Sequence, residues 1–309
     1  MTSDGRIPQS IVIYGEKGLG KKKLASYIAQ RLLCTGDNPP CNSCHACRML
    51  TGGGHPDFIK VAPSLKSGGY KLDEDLRRVV SDAYIAPSEG RVKVYLIADM
   101  DKTPQGSQNA LLKLIEEPPA HAVIILTASA REYFLPTVLS RVTALSMKSV
   151  TGEQAIAYLK KTTDKSEQEI CDAVKAMGGN IGRCIEFFES KPLKKAVEVT
   201  ALMAQAIEQK NEYDMLRAMW KCDGNRELCV TVLGLLMQVL RDAAMIRMGV
   251  GERLIGCSEE SSRRLGAAFS ERKLSALCEI CEKYIAAVNG NSNLTLCLNA
   301  VCADIRLCI

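Results

Sequence analysis

The sequence predicts an α/β domain built on a parallel sheet, followed by a small and then a larger all-helical part. Three observations carry this. Up to about residue 150, three short apolar runs alternate with segments of helical spacing, the pattern of a parallel sheet with helices on both faces. A glycine-rich turn joins the first run to the first helix. Beyond residue 150 only helical periodicity remains.

The elements follow in order. "SIVIYG" (Ser10 to Gly15) is a buried strand that stops at glycine. "KKLASYIAQRLLC" has helical spacing, with Leu24, Ile28, Leu32 and Leu33 on one side. "RVKVYLIADMD" contains a second strand, Val92 to Ala98, and "AVIILTAS" (Ala122 to Ser129) is a third. Between them "GSQNALLKLIEE" is a helix stopped by Pro118-Pro119. Thr151 is an N-cap with Gln154 at the capping-box position. "GGN" at 178–180 breaks the helical run, "GRCIEFFES" resumes it, and Lys191-Pro192 ends that helix. Further breaks fall near Gly224, Gly249 to Gly251 and Gly290. The expected parts are an α/β domain (1–150), a small helical domain (151–190) and a larger helical domain (191–309).

Composition excludes little. The chain has 309 residues, 47% apolar and 24% charged, as in an ordinary soluble globular protein. No apolar run is expected to span a membrane, and "MTSDGRIPQS" lacks a secretory layout, so a cytoplasmic protein is expected. Fourteen cysteines in a large chain without an export signal are expected to be reduced thiols. Of the net charge of +5, +4 falls in residues 1–50. A phosphate site, a nucleic-acid face and a solvated surface all fit that bias.

Four of the cysteines have metal-ligand spacing. Cys34, Cys41, Cys44 and Cys47 form C-x6-C-x2-C-x2-C, with loop-forming residues between. Four thiolates close a tetrahedral zinc site with no open position, so the Zn2+ would be structural, a staple for the loop 34–47. Four unrelated thiols and an iron–sulfur cluster are the alternatives. His45 is not needed as a ligand and is expected to be exposed. Cys278 and Cys281 also form C-x2-C, but they fall on or near the apolar stripe of an amphipathic helix, beside Leu274 and Ile285. Core packing is the better reading there.

The first turn is a damaged phosphate loop. Gly15, Gly18, Gly20 and Lys21 supply most of the cradle of G-x-x-x-x-G-K-[ST], but Lys22 stands where a hydroxyl would hold magnesium. An ammonium there opposes a divalent ion, so efficient hydrolysis and a Mg2+ site are not expected. Two readings are open: residual binding of ATP or ADP, and a purely structural turn.

Together these residues resemble a family. "GEKGLGKKKLA", the four-cysteine loop, "HPDFIKVAP", "GRVKVYLIADMDKTPQGSQNALLKLIEEPP" and "LPTVLSRV" occur in the order found in bacterial clamp-loader subunits of the AAA+ group, and resemble the delta-prime family of DNA polymerase III. The motifs cover residues 7–150. Beyond 190 only helicity and "NSNLTLCL" agree. The resemblance sets the register of the acidic strand end, so that the Walker-B aspartate position is Ala98, followed by Asp99 and Asp101. It implies that Arg141, in Ser140-Arg141-Val142, is an arginine finger for ATP on a neighbouring subunit, with Val142 where the family has Cys. A surface arginine is the alternative. Thr127 and Arg183 match the family's two nucleotide-sensing positions, either functional or relics.

The resemblance further implies an AAA+ core, a lid at 151–190 and a collar at 191–309. It implies a subunit of a DNA-directed DNA polymerase holoenzyme without intrinsic ATPase. The implied partners are the gamma/tau motor subunits and delta, with the sliding clamp and primed DNA reached through the complex, and no membrane. Two other functions compete: a weak ATPase that recruits magnesium through Asp99 and Asp101, and a zinc-stapled DNA-binding protein with a decayed ATPase core.

Overall fold

A computed structural model of the chain describes residues 8–61, 63, 70, 75–250 and 254–309. The chain divides into two compact units, one ending at Lys148 and one running from Ser149 to Ile309.

The first unit is built on five parallel strands: β1 (Ser10–Tyr14), β2 (Phe58–Val61), β3 (Lys93–Ile97), β4 (Ala122–Ala128) and β5 (Thr143–Ser146). Their order is β2-β3-β4-β1-β5. Alternate residues feed two cores, because successive side chains of a strand point to opposite faces. Val12, Tyr95, Ile97, Ile124 and Leu126 pack with Val79 and Ala83 of α3 (Arg77–Ala83) and with Leu111, Leu114 and Ile115 of α4 (Gln105–Glu116). On the other face Ile11, Ile13, Val94, Leu96 and Ile125 pack with Ala25, Ala29 and Leu33 of α1 (Lys21–Leu33) and Leu50 of α2 (His45–Gly52). This is the α/β core with a parallel sheet expected from the sequence, with β1 and the glycine-rich turn after it between β4 and β5.

Two details differ from the sequence reading. The deepest stripe of α1 is Ala25, Ala29 and Leu33, with Leu24, Ile28 and Leu32 only partly buried. The small alanines let the helix lie close to the sheet, which turns the larger side chains to the flanks. Strands β2 and β5 were not expected. Each has four residues, β5 is largely exposed, and neither carries a continuous apolar run. They exist because β3 and β1 offer them a ladder: Phe58 pairs with Val94 and Ile11 with Thr143.

The second unit is helical throughout its described residues: α6 (Gly152–Thr162), α7 (Glu167–Met177), α8 (Ile181–Glu189), α9 (Lys191–Glu208), α10 (Glu212–Met219), α11 (Arg226–Arg247), α12 (Glu259–Ala268), α13 (Glu271–Asn289) and α14 (Leu294–Cys308). The residues expected for lid and collar share one core, which runs from Ala155 to Ile305. Thr151 and Gln154 form the capping box read from the sequence. Gly178 and Gly179 adopt φ of 58° and 77°, the left-handed backbone that ends α7. α8 ends at Glu189, just before Lys191-Pro192 as expected, and Pro192 also lies in the first turn of α9, where a missing N–H costs nothing. Gly224 and Gly249 also lie at left-handed breaks, and Gly251 is outside the described residues.

Against the expectation that no apolar run reaches that length, one helix among the described residues is long and apolar enough to cross a membrane. It is α11, with 22 residues and a mean hydropathy of 1.6 over its most apolar window. Its Val232, Leu236, Val239 and Leu240 are fully buried, and it packs against α9, α12 and α13. The central helix of a bundle is apolar nearly all round for that reason. Truncating Leu236 to Ala would cost about 2–5 kcal/mol. Cys281 is buried in the same core and Cys278 is half-buried, as the packing reading required.

Candidate functional site

The loop after β1 closes by means of its glycines. Gly15, Gly18 and Gly20 have φ of 147°, 94° and 86°. A Cβ on Gly15 would collide with the carbonyl oxygen of Met147, so only glycine lets the loop pass β5. Lys21 opens α1 and is buried. Its ammonium donates to the loop's own carbonyls, 2.5 Å from Gly15 O and 2.9 Å from Glu16 O. Burial pulls its pKa below the ordinary lysine value, against the opposing effect of the Asp101 and Asp99 carboxylates.

Lys22 is paired. Its Nζ lies 2.5 Å from Asp99 Oδ2, and the two side chains are 58% and 45% exposed, so solvent screens the pair. Asp99 follows the buried Ala98, the residue that the resemblance sets at the Walker-B aspartate position. Its backbone is left-handed, with φ of 59°. The Asp99 N–H donates to Thr127 Oγ1 at 3.1 Å, and Thr127 is fully buried on β4. Asp101 Oδ1 accepts from the Ser129 N–H at 2.6 Å and is also bonded to the Ser129 hydroxyl. The structure thus brings the loop, Lys21, Lys22, Asp99 and Thr127 together at the ends of β1, β3 and β4. Both carboxylates after β3 already have partners from the chain itself.

Arg183 lies in the second unit, in the first turn of α8, where its N–H is capped by Asn180 Oδ1 at 3.3 Å.

Arg141 follows the short helix α5 (Pro136–Leu139) and is 41% exposed. Its Nε lies 2.6 Å from Glu116 Oε1, and its Nη1 donates to Thr137 O at 3.0 Å and Ser140 Oγ at 2.8 Å. The support below it is polar and buried. Gln108 of α4 donates through Nε2 to Tyr133 O at 2.8 Å and accepts from Leu135 N–H at 3.1 Å through Oε1. One glutamine side chain therefore fixes the segment that leads into α5.

The four cysteines converge. Their Sγ atoms all lie within 4.8 Å of one another, and Cys34 and Cys44 are 3.9 Å apart. A tetrahedron with metal–sulfur bonds of about 2.3 Å has sulfur–sulfur edges of about 3.8 Å, so the cluster fits one tetrahedral ion. Backbone amides point at the sulfurs: Gly36 and Cys41 N–H to Cys34 Sγ, Cys44 N–H to Cys41 Sγ, and Cys47 N–H to Cys44 Sγ, at 3.3–3.4 Å. Cys44 is also the N-cap of α2. The Cys47 amide holds the Cys44 thiol down at about 5, and the Ser43 hydroxyl with the local amides holds Cys41 at about 7. Burial pushes the Cys47 thiol up to about 12. The donor set is soft and closed, which suits a structural metal. His45 is exposed, as expected, and lies 3.8 Å from Glu89.

Four residues of the site region were not singled out from the sequence. Tyr70 is fully buried, with its hydroxyl at hydrogen-bonding distance from the carbonyls of Val61 (2.8 Å) and Ala98. Asp57 is fully buried and accepts from the N–H groups of Ser88, Glu89 and Gly90 at 2.6–2.8 Å. Gln108 and Glu116 are the other two. The available signal was polar residues inside apolar motifs, "HPDF" and "QNALLKLIEE"; their partners lie 25 to 33 residues away.

Residues 1–151 match the family model described as DNA polymerase III, delta subunit. The chain is 36% identical over 152 residues to the DNA polymerase III subunit tau of Salmonella typhimurium, an alignment covering 48% of this chain and 23% of that protein. It therefore spans about a quarter of the tau subunit it matches. It is 24% identical over 299 residues to the subunit delta' of Escherichia coli, covering 94% of this chain and 87% of that one. To the delta' of Haemophilus influenzae it is 29% identical over 176 residues, 56% of this chain and 52% of the other. Residues 1–151 are thus similar to the DNA polymerase III delta subunit family, and the chain as a whole is similar to delta' subunits.

Proposed function

We propose that the chain is a non-hydrolysing subunit of a DNA polymerase III clamp loader that supplies Arg141 to ATP bound on a neighbouring subunit. The observation that carries this is the pairing of Lys22 with Asp99. It puts an ammonium where the metal's hydroxyl ligand belongs and binds up the first carboxylate after the Walker-B strand, beside an alanine. A chain so arranged is poorly suited to hold Mg2+ for its own ATP, while its Arg141 guanidinium stays at the surface. A guanidinium is suited to the charge of a transferring phosphoryl group.

The partners of this reading are gamma or tau motor subunits and delta, with the sliding clamp and primed DNA met in the assembled complex in the cytoplasm. The second unit would serve as lid and collar. The ion at the cysteine cluster is Zn2+, favoured by four thiolates in tetrahedral spacing, and its role is to tie residues 34–47 to the start of α2. Thr127 and Arg183 are read as nucleotide-sensing positions inherited by a site that no longer turns over. The competing weak ATPase is disfavoured by the prior commitments of Asp99 to Lys22 and of Asp101 to Ser129.

The test is ATP hydrolysis by cognate motor subunits with delta and primed DNA, adding this chain or its Arg141→Ala variant. The expected result is no turnover by the chain alone and a loss of about 10^2-fold or more in the complex with the variant, which still assembles. Turnover by the isolated chain, or an unchanged rate with Arg141→Ala in an intact complex, would sink the assignment.

A further inference from the structure

The Arg141 side chain is held, not loose. Glu116 meets Nε at 2.6 Å, and Thr137 O and Ser140 Oγ take Nη1. Among the described residues Nη2 makes no hydrogen bond. Nε and Nη1 are thus engaged by this chain, and Nη2, which both donor edges of the planar fork share, is left to bond elsewhere. The base of the side chain is rigid. Arg141 N–H donates to Val138 O at 3.0 Å, Val138 is buried, and Gln108 clamps the entry to α5. Only the tip is placed to move.

Glu116 is the last residue of α4. The unpaired carbonyls of a helix end already make that position electronegative, so a carboxylate there needs a cation nearby. Arg141 supplies it. Carboxylate and phosphate oxygens compete for the same guanidinium geometry.

We propose that Glu116 is a positioning residue that parks Arg141 on this chain's own surface until phosphate oxygens on a neighbouring subunit displace the carboxylate. The inference rests on the reading of Arg141 as a group that acts in trans. Parking orients the guanidinium beforehand and sets a threshold for its release. A triphosphate brings more charge than a diphosphate, so it outcompetes Glu116 more effectively.

The experiment uses the assembled loader with primed DNA, and measures KM for ATP and kcat. Glu116→Gln removes the charge, and Glu116→Asp keeps it one methylene short of Nε. Each is paired with Arg141 and with Arg141→Ala. Glu116 is 43% exposed, so neither change threatens the fold. Glu116→Gln is expected to lower KM by roughly two- to five-fold, the range of an exposed charge pair, with kcat unchanged. Glu116→Asp should fall between it and wild type. Neither should have an effect once Arg141 is Ala. If Arg141→Ala impairs turnover but Glu116→Gln leaves KM unchanged or raises it, parking is overturned and the trans role stands. A fall in kcat at constant KM also overturns it, because Glu116 then serves only to support α5. If Arg141→Ala has no effect, both readings fail together.

Discussion

Lys22 and Asp99 face each other at 2.5 Å, one in the first turn of the helix after the glycine loop and the other two residues past the end of β3. The pair is largely solvated, so solvent screens it and it adds little stability. Lys22→Ala should therefore change unfolding free energy by only about 0–1 kcal/mol in urea titrations of the chain. A loss well above that would mean that the ion pair is a structural tie.

Metal binding at the cysteine cluster should release protons. Burial pushes the Cys47 thiol up, so it must lose its proton to become a ligand, whereas the Cys47 amide holds the Cys44 thiol down. Affinity should rise with pH between 6 and 8. The measurement is competition with a chromophoric chelator at several pH values, with one metal equivalent per chain counted by elemental analysis. Cys44→Ser should lose that equivalent while its hydroxyl still caps the start of α2. Retention of full stoichiometry by this variant would exclude Cys44 as a ligand.

Gly36 shows how tightly the cluster is drawn. A Cβ there would lie 2.9 Å from both Cβ and Sγ of Cys41. Gly36→Ala should weaken metal affinity about 10-fold or more, as changes next to a metal site commonly do, without removing any sulfur. Unchanged affinity would show that the loop relaxes freely.

Asp57 gives a pH signature. Burial pushes its pKa up, but the three N–H donors of Ser88, Glu89 and Gly90 outweigh that and hold it below the usual carboxylate range. A depressed folded-state pKa stabilises above the unfolded value, about 3.9, and that stability is lost as pH falls through the folded value. Asp57→Asn should cost about 1–3 kcal/mol at pH 7. The gap to wild type should narrow on titration below pH 4. A gap independent of pH would assign the loss to shape rather than charge.

Gln108→Ala should act at a distance. It strands Tyr133 O and Leu135 N–H beneath α5, at a cost of about 1–3 kcal/mol for each group left unsatisfied. The expected outcome is a lower melting temperature and, in the assembled loader, a lower kcat resembling a mild Arg141→Ala. Normal kcat with lowered stability would show that Arg141 does not depend on this clamp.

The sequence alone determined what local chemistry determines. The apolar runs of β1, β3 and β4, the capping box at Thr151, the glycine turn and the C-x2-C-x2-C spacing each act within a few residues, so their outcome is written where they stand. It also specified Lys22, Ala98 and Arg141 as residue types, and hence what the phosphate loop lacks. Tertiary structure decided who meets whom. Strands β2 and β5 are too short and too polar to announce themselves and form only because β3 and β1 offer a ladder. The buried face of α1 was set by how closely its alanines approach the sheet. Asp99 was free to be a metal ligand until folding set it against Lys22, and Glu116 was a helix-end carboxylate until α5 delivered Arg141 to it. Charge pairs of this kind join side chains 25 or 77 residues apart, and only the packing of β1 beside β4 and of α4 against α5 brings them within reach.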